Sequence, residues 1–144
     1  MKKINQLKMI FDSRSVNESF SRMAVSAFCS QLDMTIDELG DIKTVVSEAV
    51  TNCIVHAYRE SIGNIYITCT VFENGVIRII VRDKGCGIED VEKAREPLYT
   101  SLGGDRSGLG FSVMESFSDK LKVRSKVGKG TTVTIEKRIS GKLK

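Results

Sequence analysis

At 144 residues with 41% hydrophobic side chains, the chain is sized for one domain with a buried core. A formal charge of +4 scattered along the chain argues against a nucleic-acid binder, which would show a basic stripe or a stacking platform. No apolar run approaches a membrane span and no signal peptide is recognisable, so the expected setting is cytoplasmic, away from membranes.

Cys29, Cys53, Cys69 and Cys86 are widely separated and lack C-x-x-C spacing, so they read as reduced thiols. Three of them lie in apolar helix or strand patterns, where a thiol behaves as a small hydrophobe. Lys137, Arg138, Lys142 and Lys144 form a basic end, expected to be a solvated strand terminus and tail.

Alternating Leu7, Met9 and Phe11 predict a first strand over about residues 4–12. Ser15, with Glu18 three positions on, has the form of a capping box that opens a helix. Val16, Phe20, Met23, Ala24, Ala27, Phe28 and Leu32 would be its apolar face, with Asn17, Ser21, Arg22 and Ser26 turned to solvent.

A second capping box, Thr35 with Glu38, starts a long helix expected to reach about Glu60. Ile42, Val45, Val46, Ala49, Val50, Cys53, Ile54 and Ala57 recur at the spacing of a core-facing stripe. Two strands follow, near 63–72 and 75–83, joined at Asn74-Gly75, a hairpin signal. A short acidic helix is expected over 89–96, before Pro97. Residues 97–107 carry small residues and adjacent glycines without periodicity, and read as a mobile lid loop. Gly108-Leu109-Gly110 leads into a further helix through Phe111, Met114 and Phe117. Strands over about 119–126 and 130–139 close the chain. This order suits an α+β fold: a two-layer α/β sandwich with three main helices on one face of a mixed, mainly antiparallel sheet.

Three patterns carry chemistry. Glu48 and Asn52 stand four apart beside the apolar stripe, so they share one face of the helix. A carboxylate and a carboxamide so placed can hold a proton acceptor next to a divalent cation, or can simply be a polar helix edge. Asp83-x-Gly85-x-Gly87 ends a strand where backbone can approach a ligand closely, with Asp83 free to accept from a base amine. The alternative there is a tight turn. Gly108-x-Gly110 at a helix start offers N–H groups to a phosphate, and Arg106 could bring a cation to it from the lid. Neither a Walker A sequence nor a six-residue Rossmann fingerprint is present.

In order and together with Gly130-Thr131-Thr132, these patterns resemble the Bergerat, or GHKL, ATP-binding fold of gyrase, Hsp90, histidine kinases and MutL, over nearly the whole chain. Glu48-Ala49-Val50-Thr51-Asn52, His56-Ala57-Tyr58 and Arg106-Ser107-Gly108-Leu109-Gly110-Phe111 are similar to the bacterial anti-sigma factor kinases, and most of all to those of the sporulation, sigma F type.

The resemblance implies an ATP-dependent protein serine/threonine kinase that also binds and inhibits a sigma factor, with ATP and Mg²⁺ as cofactors. It implies Glu48 as catalytic base and Asn52 as the Mg²⁺ residue. It also implies Asp83 at the adenine amino group, with Gly85 and Gly87 beside the base and Thr131 or Thr132 assisting. Gly108 and Gly110 with Ser107 and Leu109 would line the phosphates, Arg106 would lie near the terminal one, and Arg22 would belong to a partner-binding surface. The implied partners are a sigma F type factor, an anti-anti-sigma protein as serine substrate, and a second copy of the chain, with the first strand as a sheet-edge contact. A general-stress relative, or a nucleotide-responsive sequestering module with little catalysis, fits the same motifs. His56, the single histidine, is expected to serve structure or the nucleotide pocket rather than phosphotransfer.

Overall fold

The computed structural model describes residues 1–96 and 110–141. The segment expected as a lid, residues 97–107 with Arg106 and Ser107, lies outside the described residues, as do the following Gly108 and Leu109 and the terminal Lys142 and Lys144. The elements are β1 (Lys3–Asp12), α1 (Val16–Cys29), α2 (Ile36–Asn52) running into a π-helical turn (Cys53–Ala57), β2 (Asn64–Phe72), β3 (Val76–Asp83), α3 (Val91–Ala94), α4 (Gly110–Ser116), β4 (Lys120–Lys126) and β5 (Gly130–Arg138).

The five strands form one sheet in the order β1-β2-β3-β5-β4. Every pairing in it is antiparallel. The α+β class therefore stands, while the sheet is wholly antiparallel rather than mixed. Strand alternation explains its two faces. Ile65, Ile67, Cys69 and Val71 of β2 and Ile77, Ile79 and Val81 of β3 are buried, and join Val45, Val46, Ala49 and Val50 of α2 in one core. Met114 of α4 completes that core from the far end.

The Thr35 capping box forms in full. Glu38 N–H donates to Thr35 Oγ1 and Thr35 N–H to Glu38 Oε1, each at 3.0 Å. The second oxygen of Glu38 accepts from Ser140 N–H at 3.1 Å, so the cap also ties the helix to the chain beyond β5. Lys137, expected in solvent, instead reaches from β5 to Asp41 of α2 at 3.0 Å.

Helix α1 departs from its predicted face. Ser15 has helical backbone angles and makes no capping bond, so the Ser15–Glu18 box does not form. Glu18 turns to α2 and accepts from Ser47 Oγ at 2.9 Å. The buried face is Ser21, Val25, Ser26 and Cys29, whereas Val16, Phe20 and Met23 are exposed by 73%, 57% and 61%. The serines are hidden because each hydroxyl satisfies itself within its own turn, Ser21 on Glu18 O at 2.8 Å and Ser26 on Met23 O at 3.1 Å. Small side chains there let α1 sit close against its neighbours; Val16, Phe20 and Met23 turn outward, while Phe28 packs against the core and Leu32 is buried as predicted.

Candidate nucleotide-binding site

Helix α2 ends at Asn52, and the chain widens into the π-turn instead of continuing α-helical towards Glu60. Such turns recur at functional sites because they displace carbonyls from the regular ladder. Here Ala57 O accepts from Cys86 N–H at 3.0 Å, and Cys86 Sγ lies 3.3 Å from His56 O. Tyr58, just beyond, uses its hydroxyl to accept from Lys84 N–H at 2.7 Å. These bonds hold the loop after β3 against the end of α2.

Asp83, the last residue of β3, is buried. Its Oδ1 accepts from Gly85 N–H at 2.9 Å and from Thr131 N–H at 3.2 Å, and Cys53 Sγ stands 3.6 Å from Oδ2. Burial pushes the Asp83 carboxyl above its ordinary value, and those three donors act against the shift. The same burial, with Asp83 beside it, holds the Cys53 thiol well above its ordinary value, so it remains a proton donor.

Two glycines make this end possible. Gly87 has φ +78°, and a Cβ on it would run into the Lys126 carbonyl. Gly130 has φ +126°, and a Cβ there would meet the Asp83 carbonyl. Neither position admits a side chain without moving backbone. Gly85 packs against the Ala57 carbonyl in the same manner.

A cavity of about 580 Å³ opens over these groups, with Asn52, His56, Asp83, Gly87, Gly110 and Thr131 among its walls. A second cavity of about 440 Å³ lies on the α1 side and is lined by Arg22, Lys43, Ser47 and Glu48. Gly110 lies where the two helix positions converge: a Cβ on it would be 3.2 Å from the Asn52 carboxamide and 3.4 Å from Glu48 Oε2. Glu48 and Asn52 thus face different cavities from one helix face. Arg22 reaches Glu18 one turn earlier, with Nε 3.7 Å from Oε2, beside Glu48 in the second cavity.

Of the two threonines left open by the sequence, Thr131 lines the cavity, with Oγ1 2.8 Å from Ser125 Oγ. Thr132 pairs with Arg82 and Arg124 on the opposite face of the sheet. Sequence reasoning passed over Cys53 as a site residue, and also Tyr58 and Ser125. Cys53 reads only as part of an apolar stripe, while Tyr58 accepts from Lys84 N–H and Ser125 Oγ accepts from Ile88 N–H at 2.7 Å, bonds between segments far apart in sequence for which no local pattern exists.

The chain matches the model of the histidine kinase-like ATPase domain over residues 12–137. It is 50% identical over 137 residues to an anti-sigma F factor of Geobacillus kaustophilus, with 94% of each chain covered. It is 54% identical over 136 residues to one from Caldanaerobacter subterraneus, again with 94% of each chain covered. The chain belongs to the anti-sigma F factor family of histidine kinase-like ATPase domains.

Solved structures agree on the fold. The RsbU and RsbW domains of a Mycobacterium tuberculosis protein superpose with a TM-score of 0.69 at 20% identity, covering 94% of this chain and 33% of that one. The mycobacterial sensor histidine kinase MprB gives 0.62 at 17% identity, covering 96% and 100%. Membership in an ATPase-domain family implies nucleotide binding. Among the described residues no helix is long and apolar enough to cross a membrane.

Proposed function

We propose that this member of the anti-sigma F factor family is a single-domain protein serine kinase over residues 1–144. It binds and inhibits a sigma factor of the sigma F type and uses Mg-ATP to phosphorylate a serine of an anti-anti-sigma partner. One observation carries the reading: Glu48 and Asn52 converge on Gly110 while facing separate cavities, one anchored by Asp83 and the other open beside Arg22. A kinase whose acceptor arrives on another chain needs that division, nucleotide on one side and hydroxyl on the other.

In this reading Asp83 Oδ2 accepts from the adenine amino group, held in place by its bonds to Gly85, Thr131 and Cys53. Gly85 and Gly87 leave the base in contact with backbone. Asn52, Gly108 and Gly110 belong to the phosphate end, with Ser107 and Leu109 beside them and Arg106 near the terminal phosphate. Among the described residues no group of three or more His, Cys, Asp or Glu could hold a metal alone. The Asn52 carboxamide oxygen is a hard donor suited to Mg²⁺, which would take its other ligands from water and phosphate. When bound, Mg²⁺ neutralises phosphate charge. Glu48 orients the acceptor serine and takes its proton at the carboxylate, while the first cavity fixes the phosphoryl donor in line.

The exposed Val16, Phe20 and Met23 on α1, next to Arg22, support this side as the protein-binding surface. The edge position of β1, with Ile4 and Ile10 exposed, supports a homodimer contact. Incubating the purified protein with labelled Mg-ATP and an anti-anti-sigma protein tests the kinase reading. Label on an acceptor serine is the expected result. ATP binding without transfer to any such partner would reduce the protein to a sequestering module, and a monomer at micromolar concentration in the ultracentrifuge would remove the dimer.

A further inference from the structure

The sheet gathers basic residues that are scattered in sequence. Across the face turned from the helices, register aligns Lys8, Thr68, Ile80, Thr134 and Lys122 in one row. Neighbouring rows run Ile10, Tyr66, Arg82, Thr132, Arg124 and Gln6, Thr70, Arg78, Glu136, Lys120. Residues paired across antiparallel strands share a face. Glu136 is the single carboxylate in the three rows, and Arg78 Nε occupies it at 2.7 Å.

Strand β4 ends the sheet, and among the described residues its strand partner is β5 alone. Lys120, Lys122, Arg124 and Lys126 occupy alternate positions along it and all are exposed. Alternate residues of a strand repeat at roughly 6.6–6.8 Å. An edge strand also keeps a row of N–H and C=O groups pointing away from its neighbour.

We propose that the β4 edge accepts an extended segment of a partner protein that carries acidic residues at alternate positions, added as a sixth strand. Such a segment has the same period of two as β4, so each carboxylate falls beside one of the four cations while the backbones pair. The carboxylate of these rows, Glu136, is occupied by Arg78 and stands on β5, one strand in from the edge. A second copy of β4 is rejected by the same charges, since like charges directly opposite destabilise a strand pair. Single-stranded nucleic acid lacks a stacking platform here, because the ring in these rows, Tyr66, lies under Arg82 at 4.2 Å and Lys84 at 5.2 Å. The surface lies on the opposite face from the nucleotide cavity and does not depend on the kinase reading.

A labelled synthetic peptide of alternating Glu and Thr, followed by fluorescence anisotropy with the full chain, tests this. Saturable binding is expected, weakened about tenfold or more by the double substitution Lys122→Glu and Arg124→Glu, which also reverses two cross-strand charge pairs. Nucleotide binding should be unchanged in that variant, which shows that it folds. The same peptide N-methylated at alternate residues should fail to bind, and amide exchange of β4 should slow with the unmodified one. Equal binding by the N-methylated peptide, or by an oligothymidylate, would reduce the surface to an unselective polyanion patch and overturn the proposal. No binding by either would leave the lysines as a guard against edge pairing, which overturns it equally.

Discussion

The Sγ of Cys53 stands 3.6 Å from Oδ2 of Asp83, so a thiol from the end of the helical run donates to the carboxylate at the end of β3. Asp83 is thereby held by three donors from three segments before any ligand arrives. Cys53→Ala removes one donor and leaves a small void in the core. Stability without nucleotide should fall by about 1–3 kcal/mol. Thermal melting with and without ATP checks this, and the deficit should narrow with ATP bound if the base amine meets Oδ2. An equal deficit in both conditions would mean that Cys53 serves packing alone.

Acidification should weaken nucleotide binding before an ordinary aspartate would titrate. Burial raises the Asp83 carboxyl, so as pH falls it takes up its proton earlier than in an unfolded chain. The ionised form is the better acceptor for a base amine, and affinity should be full above the raised value and drop through it. The stability term has the opposite sense: the buried charge costs stability at neutral pH, and that cost shrinks as the carboxyl protonates. Nucleotide titrations from neutral to mildly acid pH read the first effect, and denaturant midpoints at the same pH values read the second.

Glu48→Gln and Gly110→Ala should separate chemistry from positioning. The glutamine keeps the shape of Glu48 but cannot take a proton, so transfer to the acceptor should fall by about a hundredfold or more while ATP binding stays. Gly110→Ala sets a methyl 3.2 Å from Asn52 and 3.4 Å from Glu48, where the site must widen to admit it. Alanine suits the helix better than glycine, so stability should hold or rise by up to about 1 kcal/mol while transfer drops about tenfold or more. A Glu48→Gln protein that no longer binds ATP would show a structural role for this residue.

Glu38→Ala should destabilise the fold by about 1–2 kcal/mol, since it breaks the helix cap and the tie to Ser140 together. The hydrogen bond from Thr35 N–H is the first cause that holds the Glu38 carboxyl below its ordinary value. A depressed acid stabilises above its unfolded value and loses that contribution as pH falls through the folded one. Urea midpoints of the parent chain and the variant should therefore converge at acid pH, and a constant gap would exclude the charge as the cause.

Much of this was legible in the chain itself. Alternation in β2 and β3, the Thr35 capping box and the stripe through Val45 and Val50 are local patterns with local physical causes, and they placed the elements closely. The Glu48–Asn52 face follows from helical spacing alone. Where several local solutions had similar energy, the tertiary structure chose. Ser21 and Ser26 look like surface residues until their hydroxyls bond within the helix and the helix packs on them, which turns Phe20 and Met23 outward. Whether Thr131 or Thr132 meets the cavity depends on strand parity against β3. The Cys53–Asp83 contact and the basic rows of the open face each depend on register between segments tens of residues apart. The sequence by itself determined the order and type of the main strands and helices. Only the packed sheet decided which side chains share a cavity and which share a face, because a pairing register is settled by the whole buried interface and not by either strand alone.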